Sequence, residues 1–477
     1  MPELKISAGP VLGQATDHGV RIWVALNPPE GGGDEMTLDV RLSLKEDFSV
    51  DAPVREHRIT VHRNDDWTGA AELGGLEPDT RYYYRLFNGA QPLIESGLSS
   101  EVPIEAFNAQ KDIKAVPPPP SFTTFPHAAQ PVRRTFFFFF GGDLQPFRLE
   151  KERIFQRLNT FITSEPLNRF MVWTGSQVPA SGHPDLLCPL GCPRAARDEA
   201  EFLSVYRAAW GRDAALFFTG VVGRLPNYLA LGPGELGGDD VDPGAGGRKK
   251  ERFDAALKRY RQYQEAATGL ADGERRHYHF SFGADVGFFV PDLFTRRGKE
   301  DGFPWLGQAQ HEGLCRWLAD DKIAVKFVVS PLPLIAYEGM KRAERRASWE
   351  AVEDERGKIL DFIAREVKRP VHFLCGGAGF SGLTALEPEG KNAAAVYQYL
   401  AGPTGAAPRQ RPFEEWRPVA PAGWKAQPGF LGFRENAGQI RVYWNAAASE
   451  YSVQFISVDS TGSLTHRELK PHSIGRG

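Results

Sequence analysis

The feature that most constrains this chain is a set of short runs that are wholly or almost wholly apolar. Phe136 to Phe140 is an unbroken phenylalanine run, and Phe170 to Trp173, Gly287 to Val290, Val325 to Val329 and Val371 to Leu374 follow it. Successive side chains of a strand point to opposite faces, so a strand with one wet face alternates, and a run with no polar residue is covered on both sides. Such strands need further layers outside them. The intervening segments supply these: Ile154, Leu158, Phe161 and Ile162 fall on one helical face, as do Leu314, Trp317 and Leu318, and later Ile359, Ile363 and Val367. From Arg133 onward the chain reads as an α/β domain with helices outside its sheets.

Before that point the pattern differs. Gly19 to Val24 and Arg81 to Leu86 alternate sides and are separated by turn-rich sequence, so residues 1–113 are expected to form a small β-sandwich, packed against the rest but separable from it. In Leu76-Glu77-Pro78-Asp79-Thr80-Arg81-Tyr82 a tyrosine stands where fibronectin type III and immunoglobulin-like modules use one to stitch a corner. Pro117 to Pro120 and Pro126 mark an extended linker over 114–130. The remainder, 131–477, carries a Gly-rich then basic loop at Asp242 to Lys250, a polar helix around Arg252 to Glu265, and a closing hairpin of Ile440 to Trp444 with Tyr451 to Val458. A length of 477 residues agrees with two domains.

Charge and composition exclude several functions. With 57 basic against 60 acidic residues, no net attraction draws the chain to nucleic acid or to an anionic membrane. No run approaches the roughly 20 apolar residues of a membrane span. The four cysteines are too few and too scattered for a disulfide framework, so reduced thiols are expected. No secretory or twin-arginine signal is visible after Met1, which points to the cytoplasm, or to export if a signal has been removed.

Loops follow these runs, several of them rich in glycine. These are Gly141-Gly142-Asp143-Leu144-Gln145, Trp173-Thr174-Gly175-Ser176-Gln177, Leu225-Pro226-Asn227-Tyr228 leading to Gly232-Pro233-Gly234-Glu235, Val290-Pro291-Asp292 leading to Arg296-Arg297, and Cys375-Gly376-Gly377-Ala378-Gly379-Phe380. In order and position they resemble the PhoD-like alkaline phosphatases, a branch of the binuclear metallophosphatases, over nearly the whole chain. Tyr206-Arg207 and Trp305 to Gln310 also match the framework of that family. The resemblance implies a four-layer αββα metallophosphatase fold behind an N-terminal fibronectin III or Ig-like sandwich. It also implies a pair of metals, drawn from calcium, iron, manganese or zinc, that share a bridging hydroxide and hydrolyse phosphate esters.

The chemistry departs from the family. Where it carries Asp, Asp-Asp-His and Asp-x-His, this chain carries Ser176, Gly232-Pro233-Gly234 and Gly377-Ala378-Gly379. A neutral hydroxyl cannot supply the charge that holds two dications together, and glycine offers no side-chain donor. Asp143 stands where the family has its first ligand, and it reads either as that ligand or as a cap of the next helix. Glu235 and Asp292 are the other remnant candidates for metal. Gln177 and Arg296 are candidates for substrate, Phe294 standing where the family has an arginine. Asp239, Asp240 and Asp242 read as an acidic patch or a solvated turn. His183, Cys188 and Cys192 give three soft ligands without a fourth, a poor zinc site, and His372 lies inside an apparent strand.

Two functions follow. In one the chain is a pseudophosphatase that binds an unidentified protein partner or a small anionic ligand and needs no cofactor. In the other it is a working phosphodiesterase or alkaline phosphatase with an atypical site around Asp143, Glu235 and Asp292. As a third reading, the α/β domain is a scaffold docked into a larger assembly through its sandwich and Arg-rich tail.

Overall fold

A computed structural model describes residues 4–27, 33–48, 55–93, 119–144, 152–182, 194–211, 218–238, 246–269, 276–298, 302–389, 394–405, 416–461 and 464–467. The phenylalanine run forms the Phe136–Gly141 strand at the centre of a 6-stranded sheet. It runs parallel to Asn168–Trp173, which in turn runs parallel to Asn227–Leu229. Its other edge takes the antiparallel Asn436–Asn445 strand, so the predicted C-terminal hairpin with Glu450–Asp459 completes the sheet of the larger domain. A 7-stranded sheet lies beside it, with Val286–Val290, Val325–Ser330, Val371–Cys375 and Val396–Leu400 as a parallel core between antiparallel edges.

The two sheets pack face to face through aromatic rings. Phe138 sits 5.3 Å from Phe288 and 5.2 Å from Phe327, centre to centre, with Phe136 and Phe140 in the same buried cluster. Phe139 points the other way, to Phe161 on the Glu152–Ser164 helix. The run thus lies buried on both faces, as strict alternation of side chains requires. On the far side Trp317 of the Gln308–Ala319 helix packs on Phe289, and the Glu353–Glu366 helix buries Ile359 and Ile363. Helix, sheet, sheet, helix is the order of layers.

The N-terminal residues form an 8-stranded antiparallel sheet that folds over, its two halves joined through the His62–Thr68 pair. Val20, Ile22 and Val24 from one half and Leu38, Val40, Ile59 and Val61 from the other fill its interior. Tyr82 stitches the corner, its hydroxyl accepting from the Glu77 N–H at 3.0 Å. The linker expectation needs correction: Ser121–Thr123 pairs with Arg81–Tyr83 as a further strand, and Phe122 and Phe125 are buried. Alternation in Ser121-Phe122-Thr123 outweighs the neighbouring prolines. The sandwich shares a continuous interior with the larger domain, with Trp23 against Trp210 and Tyr263 at 5.3 and 5.4 Å. Asn227 Nδ2 donates to Leu12 O at 2.9 Å.

Candidate functional site

The loops singled out in the sequence leave the C-terminal ends of their strands, where α/β folds build sites. Four of them meet. The Gly141 carbonyl accepts from Thr174 N at 2.7 Å, Asp143 N donates to Gly175 O at 3.2 Å, and Leu144 N donates to Ser176 O at 2.8 Å. Gly234 N donates to Ser176 Oγ at 3.2 Å, tying the third loop to the second. Pro331, which ends the Val325–Ser330 strand of the other sheet, lies against Gly175 on one side and Gly377 on the other. A second ring of backbone closes the far side, where Thr404 N donates to Gly142 O at 2.9 Å.

Glu235 holds two of these segments together. It is fully buried, and its Oε1 accepts from the N–H of Gln177 at 2.5 Å and of Val178 at 3.1 Å, its Oε2 from those of Ser176 and Gly232, each at 3.0 Å. Burial pushes the carboxyl up to about 7, against the pull of these donors, which favour the anion. Both oxygens are therefore engaged by backbone, and the remnant metal candidate at this position is an organiser of the loops. Gln264 adds a bond at 3.3 Å, and its own amide meets Tyr206 OH at 2.8 Å. Gln177 is buried beside it, its side-chain amide against Gln264 and Glu235 and turned away from any open face.

The glycines sit where side chains do not fit. A Cβ built on Gly232 overlaps the Ser176 amide nitrogen and lies 2.9 Å from both Gly175 C and Gly175 Cα. On Gly234 it would lie 2.9 Å from Val178 O and 3.0 Å from Ser176 Cβ, and on Gly377 2.9 Å from Pro331 O. Real Cβ atoms avoid such approaches to backbone, so a side chain at these positions would require the backbone to shift. Gly377 and Gly379 also hold φ of 72° and 73°, a left-handed conformation that favours glycine.

Other candidates divide plainly. Asp143 is half-buried at φ 56° beside the same loops, and the helix after it begins at Glu152, so it does not cap that helix. Asp292 lies at the matching end of the second sheet, but Oδ1 accepts from Phe294 N and Thr295 N at 3.0 Å and Oδ2 faces Thr295 Oγ1. Its carboxylate is used by its own turn. Arg296 is exposed, and its neighbour Arg297 stacks on Phe294 and Trp305 at 4.3 and 4.7 Å. His372 bonds Tyr399 OH at 2.9 Å inside the sheet packing. His183, Cys188, Cys192, Asp239, Asp240 and Asp242 lie outside the described residues.

Among the described residues no group of three or more His, Cys, Asp or Glu is placed to hold a metal ion. Among the described residues these loops offer one acidic side chain that backbone does not already engage, Asp143, with a serine hydroxyl and backbone, a set that does not fit a pair of metals. Sequence reasoning missed Gln264 and gave Gln310 no role beyond the framework, whereas Gln310 bridges Asp292 N and O at 2.7 and 2.9 Å. For Gln310 the framework match at Trp305 to Gln310 was the available signal. For Gln264 there was none, because a wide π turn at Arg261–Glu265 rotates it inward from a helix that reads as polar.

Comparison with known proteins agrees with this architecture. Residues 2–101 match the PhoD-like phosphatase, N-terminal domain family. Among solved structures, the one described as "Structure of PhoD" is similar over 98% of this chain and 93% of that chain, at 13% identity and a TM-score of 0.67. At that identity the likeness shows the fold. A Bacteroides uniformis beta-glucuronidase covers 96% of this chain and 61% of its own at 8% identity, and its TM-score of 0.19 carries no argument. No curated protein matches the chain. Residues 2–101 thus match the N-terminal domain family of the PhoD-like phosphatases, and the chain over its whole length shares the fold of that PhoD structure.

Proposed function

We propose that this protein is a pseudophosphatase, a metallophosphatase fold that no longer assembles the binuclear centre and acts by binding a partner or small ligand. The observation that carries the reading is the closure at Gly232, where a side chain would collide with the backbone of Gly175 and Ser176. A ligand lost by one substitution leaves a space that water or another donor fills; here neighbouring backbone occupies the place of a side chain. Two dications need several anionic donors to offset their mutual repulsion, and among the described residues of these loops Asp143 is the remnant candidate whose carboxylate the backbone does not take up. Losing a single ligand or its support commonly lowers affinity or activity by 10–100-fold, so losses at Ser176, Gly232, Gly234, Gly377 and Gly379 together remove the reaction. The test is hydrolysis of p-nitrophenyl phosphate and its bis-ester with manganese, calcium, zinc or iron added. Rates at the buffer background are expected; turnover that disappears in Asp143→Ala would overturn the proposal.

A further inference from the structure

We propose a second site on this protein: a pocket for a free oxyanion of the phosphate type, built by Arg81, Arg169 and Arg224 where the N-terminal sheet meets the larger domain. The pocket has a volume of about 170 Å³ and is lined by these three side chains together with Ser121, Thr123 and Asn168. It lies at the N-terminal ends of the Asn168–Trp173 and Asn227–Leu229 strands. The glycine loops leave the opposite ends, roughly 15–20 Å away along strands of this length. The site is therefore separate from the vacated cleft and does not depend on what that cleft does.

Charge makes the case for an anion. Arg169 and Arg224 are both 8% exposed, which is unusual for guanidinium groups that share a cavity with a third. Burial lowers the proton affinity of both, and the Arg81 charge lowers each further. Among the described residues one carboxylate, Glu46, lines the pocket. Asp79 pairs with Arg169 from outside it, Arg169 Nη2 donating to Asp79 Oδ1 at 2.9 Å, and is shared with Arg134. The Arg169 Nε is buried without a hydrogen-bond partner. Three converging cations, a buried unsatisfied N–H and hydroxyls from Ser121 and Thr123 match a tetrahedral oxyanion, which accepts several charge-assisted bonds at once. Arginine suits the role because its fork meets two oxygens together.

Calorimetric titration of the purified protein with inorganic phosphate, sulfate and phenyl phosphate, against sodium chloride of equal ionic strength, tests the site. Saturable binding is expected for phosphate or sulfate and not for chloride, weakened at least about tenfold in Arg81→Gln and Arg224→Gln. Arg81 is exposed, so its variant keeps the fold even if Arg224→Gln does not. Binding of phenyl phosphate as tight as that of phosphate would replace the free oxyanion with an ester as the natural ligand and overturn that part of the assignment. Absence of saturable binding up to about 10 mM, or binding indifferent to Arg81→Gln, would overturn the site itself.

Discussion

Placing one methyl group on Gly232 should destabilise this protein by about 3 kcal/mol. The backbone at Gly232 is not in the left-handed region, so alanine meets no conformational penalty there and the effect is purely one of space. The new Cβ overlaps Ser176 N and lies 2.9 Å from Gly175 C and Gly175 Cα, all backbone atoms that cannot swing aside as a side-chain tip would. Overpacking of this kind costs about 1–3 kcal/mol. Displacing Ser176 also strains the bonds by which Ser176 N and Gly232 N share Glu235 Oε2, each 3.0 Å long, for roughly another 1 kcal/mol apiece. Urea unfolding followed by tryptophan fluorescence reads the change. Gly357→Ala is the control: it lies in the Glu353–Glu366 helix with nothing within 4 Å of its Cβ, so it should stabilise by about 0.5–1 kcal/mol. A Gly232→Ala protein within about 0.5 kcal/mol of wild type would show that the position has room for a side chain, and would refute the closed-loop reasoning.

Further outcomes follow from the same geometry. Glu235→Ala leaves the N–H groups of Ser176, Gln177, Val178 and Gly232 without their acceptor, and a loss of at least about 4 kcal/mol is expected in the urea midpoint; a near-neutral effect would remove Glu235 from the role of organiser. Because the folded-state pKa of Glu235, about 7, lies above its ordinary 4.5, the folded protein binds the proton more tightly than the unfolded one. Its contribution is full below the unfolded value and is lost as pH rises toward and through 7, about 1.4 kcal/mol per unit in that window. Unfolding midpoints measured from pH 5 to 8 should carry this fall in wild type and lack it in Glu235→Gln; parallel curves would contradict it. Asp292→Ala should lower stability by about 1–2 kcal/mol through its lost turn bonds without changing metal content, and a change in metal content would restore Asp292 as a ligand.

How much was legible depended on whether a residue's role is set by its own neighbours in sequence. The buried strands were readable because Phe136 to Phe140 leaves no face for water, and the framework of Trp305 to Gln310 was readable as a local pattern. Ser121–Thr123 was hidden beside prolines, since its alternation spans only three residues and is visible only once Phe122 is seen to be buried. That Ser176, Gly232 and Gly377 carry no metal-ligand side chain is visible in the sequence, but the tight approach of their loops is not. Closure depends on how near Gly175 comes to Gly232 and Pro331, a matter of backbone approach between distant segments. The arginine pocket was invisible for the same reason, as Arg81, Arg169 and Arg224 converge from three separate strands or turns of two domains.

The central claim, that the fold persists without its binuclear centre, is tested most directly by metal stoichiometry. The purified protein is incubated with manganese, zinc, iron and calcium, desalted, and analysed by mass spectrometry beside its Asp143→Ala variant. The account predicts a metal content well below one ion per chain that does not differ between the two. Two metal ions per chain in the wild type, reduced in Asp143→Ala, would contradict it.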